Sequence, residues 1–227
     1  MSEPLETTER LKEGPVRVLL VDDHDLFRTG LRNLLEEQGV EIVGEAGDGA
    51  RAIGLVRELA PDVVVMDLNM PGISGVEATR QVSSIAPLTR VLVLTISDQD
   101  GDVLDAILAG ACGYLMKDAS IEELMAGIRA AAIGESLISS HIAGKVLQRI
   151  RATSAQPEIA EQIRTELSDR EIEVLKLIAN GKDNAMIAAE LHISPKTVKN
   201  HISNILMKLQ IDNRIQAAVY AVRSGIV

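Results

Sequence analysis

The 227-residue sequence is poor in aromatic residues, with no tryptophan, two tyrosines and one phenylalanine. Hydrophobic residues nevertheless make up 46% of the chain, so packed cores must be built mainly from alanine, valine, isoleucine, leucine and methionine. A chain of this length is typical of one large domain or two small ones.

Cysteine and long apolar runs are also scarce. The single cysteine, Cys112, excludes an internal disulfide and a cysteine-rich metal site. No apolar run approaches the ~18 residues that a membrane helix needs. Residues 1–14 contain four glutamates and lack the apolar segment of a signal peptide, so a disordered tail is expected there. These features favour a cytoplasmic protein that does not interact with a membrane.

Basic residues are outnumbered, and the net charge is −10 at pH 7, which argues against nucleic-acid binding unless the charge is unevenly distributed. Residues 166–227 contain eight Lys and Arg against seven Asp and Glu, so the acidic excess lies in residues 1–165. Within residues 194–214, four basic residues accompany Asp212 as the sole acid. Because local charge governs contact with phosphates, the C-terminal part remains compatible with DNA binding.

Short β-branched apolar segments alternate with segments of helical periodicity in residues 16–135. The predicted strands are Val16–Val21, Glu41–Ala46, Asp62–Met66, Arg90–Ile96 and Gly113–Met116. The predicted helices are Asp25–Gln38, Ala50–Leu59, Val76–Ser84, Asp102–Ala109 and Ile121–Ile133. Continuous apolar runs such as Val63–Met66 are typical of strands buried on both faces of a parallel sheet. The alternation predicts an open, doubly wound α/β domain.

Polar side chains stand at the ends of four predicted strands. Asp22 and Asp23 follow the first strand, Asp67 follows the third, Thr95 lies at the end of the fourth, and Lys117 follows the fifth. The carboxyl ends of parallel strands share one edge of the sheet, so these groups are expected to converge. Three carboxylates suit Mg²⁺ or Mn²⁺, while the lysine and the hydroxyl would stabilise a phosphoryl group. The set predicts phosphoryl transfer to a carboxylate.

Predicted strands are absent beyond residue 136. Residues 137–164 are interpreted as a linker with a helix over Ser140–Arg151. Residues 165–227 are predicted to form a helical domain. The first of its four helices begins at the capping box of Ser168 and Glu171. The other three span Asn184–Leu191, Ser194–Leu209 and Arg214–Ser224. The inward residues are expected to be Val198, Ile202, Ile205 and Leu209 on the third helix, and Ile215, Ala218, Val219 and Val222 on the fourth.

The third of these helices has the polar pattern of a DNA-recognition helix. A helix-turn-helix inserts its second helix into the major groove, where polar side chains contact base edges. The predicted base contacts are Lys196, Lys199, Asn200 and Ser203. Thr197 and Lys208 are predicted to hold phosphates.

Four motifs in order, VLLVDDH, VVVMDLNMPGISG, VLVLT and GYLMKD, resemble a receiver domain, which we assign to residues 15–136. The resemblance implies a flavodoxin-like five-stranded sheet of order 2-1-3-4-5 and Asp67 as phospho-acceptor. It also implies that Asp23 ligates the metal, that Asp22 supports it, and that Asn69 supplies a backbone carbonyl. Thr95 and Tyr114 match the switch pair whose side chains move together on activation.

The segment LSDREIEVLKLIANGKDNAMIAAELHISPKTVKNHISNILMKL resembles a LuxR-type helix-turn-helix domain, which we assign to residues 165–227. With a receiver in front, the chain is similar to two-component response regulators of the NarL/FixJ class. The resemblance implies a cognate sensor histidine kinase, promoter DNA and a second copy of the chain as partners, with RNA polymerase as a further one. It implies no enzymatic activity beyond self-phosphorylation from a donor and self-dephosphorylation.

Four alternative interpretations are open at this point. Gly47–Ala52 fits the GxGxxA fingerprint of a dinucleotide-binding fold, although that leaves the other polar strand ends without a role. A phosphatase with an aspartate nucleophile usually has a second acid two residues later, where this sequence has Asn69. The helical domain could be a protein-binding module. Finally, DNA binding could be independent of phosphorylation.

Overall fold

The structure is a computed structural model that describes residues 14–96, 100–138 and 157–226. The chain divides into two compact units between residues 139 and 140. The predicted tail, apart from Gly14, and the helix predicted over Ser140–Arg151 lie outside the described residues. Among the helices that the structure describes, none has the length and apolar character needed to cross a membrane.

The first unit contains one parallel sheet with the strand order β2-β1-β3-β4-β5-β6. Its strands are β1 (Arg17–Val21), β2 (Glu41–Ala46), β3 (Val63–Met66), β4 (Arg90–Thr95), β5 (Gly113–Met116) and β6 (Leu137–Ile138). Its helices are α1 (Asp25–Glu37), α2 (Gly49–Leu59), α3 (Gly75–Ile85), α4 (Asp100–Leu108) and α5 (Ile121–Ala132). The five predicted strands and the order 2-1-3-4-5 are confirmed. The additional strand β6 lies in the predicted linker and pairs with β5. It was not predicted because two residues are too few to show a periodicity in the sequence.

Alternating residues of the central strands are buried on opposite faces of this sheet. On β1, Val18 and Leu20 join one cluster of buried residues, whereas Leu19 and Val21 join another. The first cluster includes residues of α1 and α5, and the second includes residues of α2 and α3. Burial on both faces explains why the strands appear in the sequence as continuous apolar runs.

The described part of the second unit, residues 157–226, is helical. Its helices are α6 (Pro157–Glu166), α7 (Asp169–Ala179), α8 (Asn184–Leu191), α9 (Pro195–Leu209) and α10 (Arg214–Arg223). The four predicted helices are α7 to α10, and the predicted capping box of Ser168 and Glu171 begins α7. Helix α6 begins in the segment interpreted as a linker, because Pro157 suggests a break in the sequence. The proline is compatible with the helix because it occupies the first helical position, where its missing N–H removes no helical hydrogen bond. Ile163 of α6 is fully buried in the core of this unit.

The inward faces of α9 and α10 differ in how well the sequence predicted them. On α9, Val198, Ile205 and Leu209 are buried and Ile202 is partly buried, as expected. On α10 the expected face is confirmed in part: Val219 is buried, and Ala218 and Val222 are partly buried against the core. Gln216, Ala217 and Ala221 are also buried, which was not expected. Gln216 can point inward because its side-chain carbonyl accepts a hydrogen bond from Asp212 N at 2.8 Å, which replaces the lost contact with water.

Candidate functional site

Backbone hydrogen bonds between neighbouring strands bring the predicted polar residues to one edge of the sheet. Asp22 N donates to Ala46 O of β2 at 3.0 Å, and Asp67 N donates to Val21 O of β1 at 2.8 Å. Lys117 N donates to Thr95 O of β4 at 2.9 Å. The ends of β1 to β5 therefore lie at one edge of the sheet, where Asp22, Asp67 and Lys117 come together.

Lys117 connects two buried carboxylates. Its Nζ lies 2.6 Å from Asp22 Oδ2 and 2.7 Å from Asp67 Oδ2, and Asp67 is only 1% exposed. Nζ also lies 4.7 Å from the centre of the Phe27 ring. Burial by itself would lower the pKa of Lys117, but hydrogen bonds with Asp22 and Asp67 raise it above its ordinary value. The ammonium group therefore stays charged beside Asp67.

Asp23, at the second position after β1, lies close to Asp22 and Asp67. Its Oδ1 atom is buried and has no hydrogen-bond partner within the described part of the chain. Carboxylate oxygens of Asp22, Asp23 and Asp67 and the His24 Nδ1 atom all lie within 4.8 Å of one another. A buried, unsatisfied oxygen among three carboxylates fits a divalent cation such as Mg²⁺ or Mn²⁺, because such a cation satisfies several oxygens at once.

The remaining predicted residues of this site are Thr95 on β4, Tyr114 on β5 and Asn69 in the loop after β3. Thr95 is fully buried, and Asn69 Nδ2 lies 3.5 Å from its Oγ1. Asn69 N donates to Asp67 Oδ1 at 3.4 Å. Tyr114 is fully buried and pairs in register with Val93, two residues before Thr95. Because strand residues alternate between faces, Thr95 and Tyr114 lie on the same face of neighbouring strands.

Gly75, the first residue of α3, allows the closest backbone approach to this site. A Cβ atom at Gly75 would lie 1.9 Å from Asp67 O, and Gly75 N donates to Leu68 O at 3.0 Å. Helix α3 therefore begins against the backbone of Asp67 and holds it in place. This role of Gly75 was not predicted, although a glycine between a strand end and a helix indicates a close approach.

Three further residues beside the site, His24, Arg28 and Glu45, were not among the predicted ones. His24 Nδ1 lies 2.8 Å from Asp23 Oδ1 and 3.1 Å from Asp22 Oδ1. Arg28 donates to Asp22 O at 2.5 Å and through Nε to Glu45 Oε2 at 3.0 Å. The position of His24 next to Asp23 was readable from the sequence, whereas the pairing of Arg28 with Glu45 depends on β2 lying beside β1.

The segment that suggested a dinucleotide fingerprint is the start of a helix. Asp48 is the N-cap of α2, and its side chain accepts a hydrogen bond from Arg51 N at 2.8 Å. A Cβ atom at Gly49 would lie 2.5 Å from Ile73 O, so this glycine serves packing against the loop before α3. These contacts explain the residues of Gly47–Ala52 without a nucleotide.

In the second unit, α8 and α9 form a helix-turn-helix. Ser194 is the N-cap of α9, its Oγ accepts from Thr197 N at 3.1 Å, and Pro195 is the first helical residue. The predicted base-contacting residues all have exposed side chains: Lys196, Lys199, Asn200 and Ser203. Thr197 is half-buried, with its Oγ1 2.8 Å from Ser194 Oγ. The exposed face of α9 is thus polar and basic, opposite the apolar stripe.

Lys208 differs from the other basic residues of α9. Its Nζ lies 2.7 Å from Oε2 of Glu171, whose side chain is 5% exposed. Burial by itself would raise the pKa of Glu171, but hydrogen bonds from Lys208 and Ser168 lower it below its ordinary value. Lys208 thereby joins the end of α9 to the start of α7, and its predicted phosphate contact stays a prediction.

Comparison with known proteins gave two family matches. The response regulator receiver domain matches residues 18–129, and the luxR family of bacterial regulatory proteins matches residues 165–221. The chain is 46% identical to the transcriptional regulatory protein LiaR of Bacillus subtilis strain 168, over 93% of this chain and 99% of LiaR. It is 40% identical to YxjL of the same organism, an uncharacterised transcriptional regulatory protein, over 96% of this chain and 100% of YxjL.

A solved structure gives a similar result. The crystal structure of the response regulator ChrA, from a heme-sensing two-component system, is 37% identical, with a TM-score of 0.52. The match covers 94% of this chain and 100% of the ChrA chain. It therefore extends over both units.

Proposed function

The chain belongs to the two-component response regulators of the NarL/FixJ class, with a receiver domain and a LuxR-type helix-turn-helix, and on this premise we propose that phosphorylation of Asp67 controls promoter binding. It is a DNA-binding transcription regulator. The observation that carries the proposal is the contact of the buried Asp67 with Lys117, beside Asp22 and Asp23.

The proposed chemistry is transfer of a phosphoryl group from a phosphohistidine of a sensor kinase. An Asp67 carboxylate oxygen forms the new bond to phosphorus while the P–N bond of the donor breaks, and the histidine nitrogen keeps the electron pair. Lys117 stabilises the charge of the arriving phosphoryl oxygens, and the Thr95 hydroxyl donates a hydrogen bond to the product. Apart from this step and self-dephosphorylation, we propose no enzymatic activity.

Asp22, Asp23, Asp67 and the backbone carbonyl of Asn69 are the proposed ligands of Mg²⁺ or Mn²⁺. The bound cation would neutralise charge shared by the acceptor and the phosphoryl group. The unsatisfied Oδ1 of Asp23 supports this assignment.

The proposed output is a change in assembly and in DNA affinity. An aspartyl phosphate adds about −1.5 to −2 charges next to Lys117 and Thr95 and draws both groups toward it. Tyr114, on the face that it shares with Thr95, follows this movement. The altered receiver surface favours a homodimer, and two copies of α9 then bind two half-sites of double-stranded promoter DNA. RNA polymerase in the cytoplasm is the further partner of the bound dimer.

Phosphate-affinity gel electrophoresis tests the acceptor. The full-length protein is incubated with acetyl phosphate and Mg²⁺ beside Asp67→Asn and the matched control Asp48→Asn, in which asparagine keeps the N-cap of α2. We expect a shifted band for the wild type and the control, lost without Mg²⁺ and in Asp67→Asn. A wild type that stays unshifted with a panel of donors and kinases would favour DNA binding that is independent of phosphorylation.

DNase footprints test the output on DNA. The wild type and Asp67→Asn are compared with and without phosphodonor on DNA selected by the wild type from a random pool. We expect the donor to lower the protein concentration required for protection in the wild type alone. Equal protection with and without donor would contradict control by phosphorylation, while leaving DNA binding itself intact.

A further inference from the structure

His24 is oriented toward the carboxylates although it occupies the N-cap position of α1. An N-cap side chain commonly accepts a hydrogen bond from the first helical turn, but His24 makes no such contact. Its Nδ1 atom instead lies 2.8 Å from Asp23 Oδ1 and 3.1 Å from Asp22 Oδ1. The side chain is 63% exposed, so packing does not force it into this orientation.

Hydrogen bonding alone does not satisfy this group of atoms. Nδ1 carries at most one proton, and Asp22 Oδ1 is within hydrogen-bond distance of it. Asp23 Oδ1 remains buried without a hydrogen-bond partner in the described part of the chain, despite its short distance to the same nitrogen. A cation shared by the nitrogen and both oxygens satisfies all three atoms when Nδ1 is unprotonated.

The spacing of the three atoms also suits a shared ion. Adjacent ligands of an octahedral cation with bonds of about 2.1 Å are about 3 Å apart. The two distances from His24 Nδ1 to the carboxylates are close to this value. Imidazole is a good ligand for transition-metal ions, whereas Mg²⁺ prefers oxygen.

We propose that His24 contributes a nitrogen ligand to the cation site of Asp22, Asp23 and Asp67 and shifts its preference from Mg²⁺ toward transition-metal ions such as Mn²⁺ and Co²⁺. This inference rests on the proposed function, because it assumes that the acidic site binds a divalent cation. It adds a residue and an ion selectivity that the acidic residues alone do not provide.

Metal titrations of the full-length protein test the selectivity. Mg²⁺, Mn²⁺ and Co²⁺ affinities are measured by calorimetry for the wild type, His24→Asn and His24→Phe. Asparagine is a favoured N-cap residue, so His24→Asn keeps the start of α1, and Leu26→Ala is a control on the same exposed turn. We expect both His24 variants to lose about tenfold in the ratio of Mn²⁺ to Mg²⁺ affinity, more for Co²⁺, and Leu26→Ala to keep the wild-type ratio.

A spectroscopic measurement separates a metal ligand from a hydrogen-bonding neighbour. Electron spin echo modulation of bound Mn²⁺ detects a directly coordinated nitrogen, and ¹⁵N-labelling of histidine changes its frequency. We expect nitrogen modulation in the wild type and none in either His24 variant. Metal that binds without nitrogen modulation, or an unchanged affinity ratio in both variants, would overturn the inference and leave the acidic cation site standing. A wild type that binds none of the three ions would overturn the cation site as well.

Discussion

At the scale of single residues, Lys117 is the counter-ion on which two buried carboxylates depend. Asp22 and Asp67 contact the same Nζ atom, and the Lys117 side chain is 10% exposed. Because its pKa is raised above the ordinary 10.5, this ion pairing stabilises the fold fully from neutral pH up to pH 10.5 and is lost as the pH rises through the raised pKa. Across the neutral range, Lys117 therefore holds Asp67 in place.

Removing this ammonium group leaves mutually repelling carboxylates with little access to water. We expect Lys117→Gln to lower the free energy of unfolding of the receiver unit by roughly 2–4 kcal/mol at pH 7 without divalent cations. Saturating Mg²⁺ should recover part of this loss, because the cation replaces the missing charge. Calorimetry of the full-length chain measures both effects, with the exposed Lys176→Gln as a control that changes neither. A Lys117→Gln protein as stable as the wild type would contradict this role.

At the scale of secondary-structure elements, the contact between the start of α3 and the end of β3 keeps Asp67 in place. Gly75 permits this contact because even a methyl group there would overlap the Asp67 carbonyl. Gly54, in the middle of α2, has no atom within 4 Å of the corresponding position. The two helical glycines thus differ in whether a neighbouring element requires them.

The same substitution at these two glycines should have opposite effects. Gly75→Ala should lower the free energy of unfolding by roughly 3 kcal/mol, because the overlap forces α3 away from β3. Gly54→Ala should raise it by about 0.5–1 kcal/mol, because alanine is the better helix former. Denaturant unfolding of the full-length variants checks both values. If both substitutions stabilise the protein, the close approach at Asp67 does not exist.

The start of α7 and the end of α9 are joined by Glu171 and Lys208, which gives the helical unit a dependence on acid. The pKa of Glu171 is lowered from its ordinary 4.5, so its stabilising contribution is present above pH 4.5 and lost as the pH falls through the lowered pKa. We expect Glu171→Gln to reduce the free energy of unfolding by about 1–3 kcal/mol at pH 7 and to weaken its dependence on pH below 4.5.

Calorimetry of the full-length chain between pH 7 and pH 3 measures this effect. The matched control is Glu173→Gln, which removes an exposed i,i+3 pair with Arg170 on the same helix. Such a pair contributes little, so we expect a change of no more than about 0.5 kcal/mol at pH 7. A Glu171→Gln variant with the pH slope of the wild type would assign the acid dependence to other groups.

At the scale of the whole molecule, acidic and basic residues are concentrated in different parts of the chain. Residues 1–165 carry the acidic excess, and the exposed face of α9 carries Lys196 and Lys199. Because salt screens contacts between charges at distances of about 10 Å, the basic face acts locally despite a net charge of −10. We therefore expect the strength of DNA binding to depend on α9 and on ionic strength.

Substitutions on α9 should separate sequence readout from phosphate attraction. Asn200→Ala should weaken binding to selected DNA by about 1–3 kcal/mol while leaving non-specific binding and its salt dependence unchanged, because asparagine reads a base edge. Fluorescence anisotropy at several KCl concentrations measures all three quantities, and Lys176→Ala is a basic control outside α9. Equal losses on selected and random DNA would instead assign Asn200 to the phosphate backbone.

Local patterns in the sequence predicted most of the elements. Strands β1 to β5 and helices α1 to α5 and α7 to α10 were correct because apolar periodicity, capping residues and glycine breaks are properties of neighbouring residues. The convergence of Asp22, Asp67 and Lys117 followed from the common edge of parallel strands. By contrast, β6 and α6 lay in a predicted linker, because a two-residue strand has no period and Pro157 suggests a break.

The sequence by itself thus determined the order of the elements, the two units and the identity of the groups at the sheet edge. Only the tertiary structure decided which atoms meet: one Lys117 Nζ shared by two carboxylates, Gly75 against the Asp67 carbonyl, and Glu171 bound to Lys208, 37 residues away in sequence. The physical reason is the distance along the chain over which each kind of interaction acts. Periodicity and capping act over a few residues, whereas ion pairs and close backbone approaches depend on how distant elements pack.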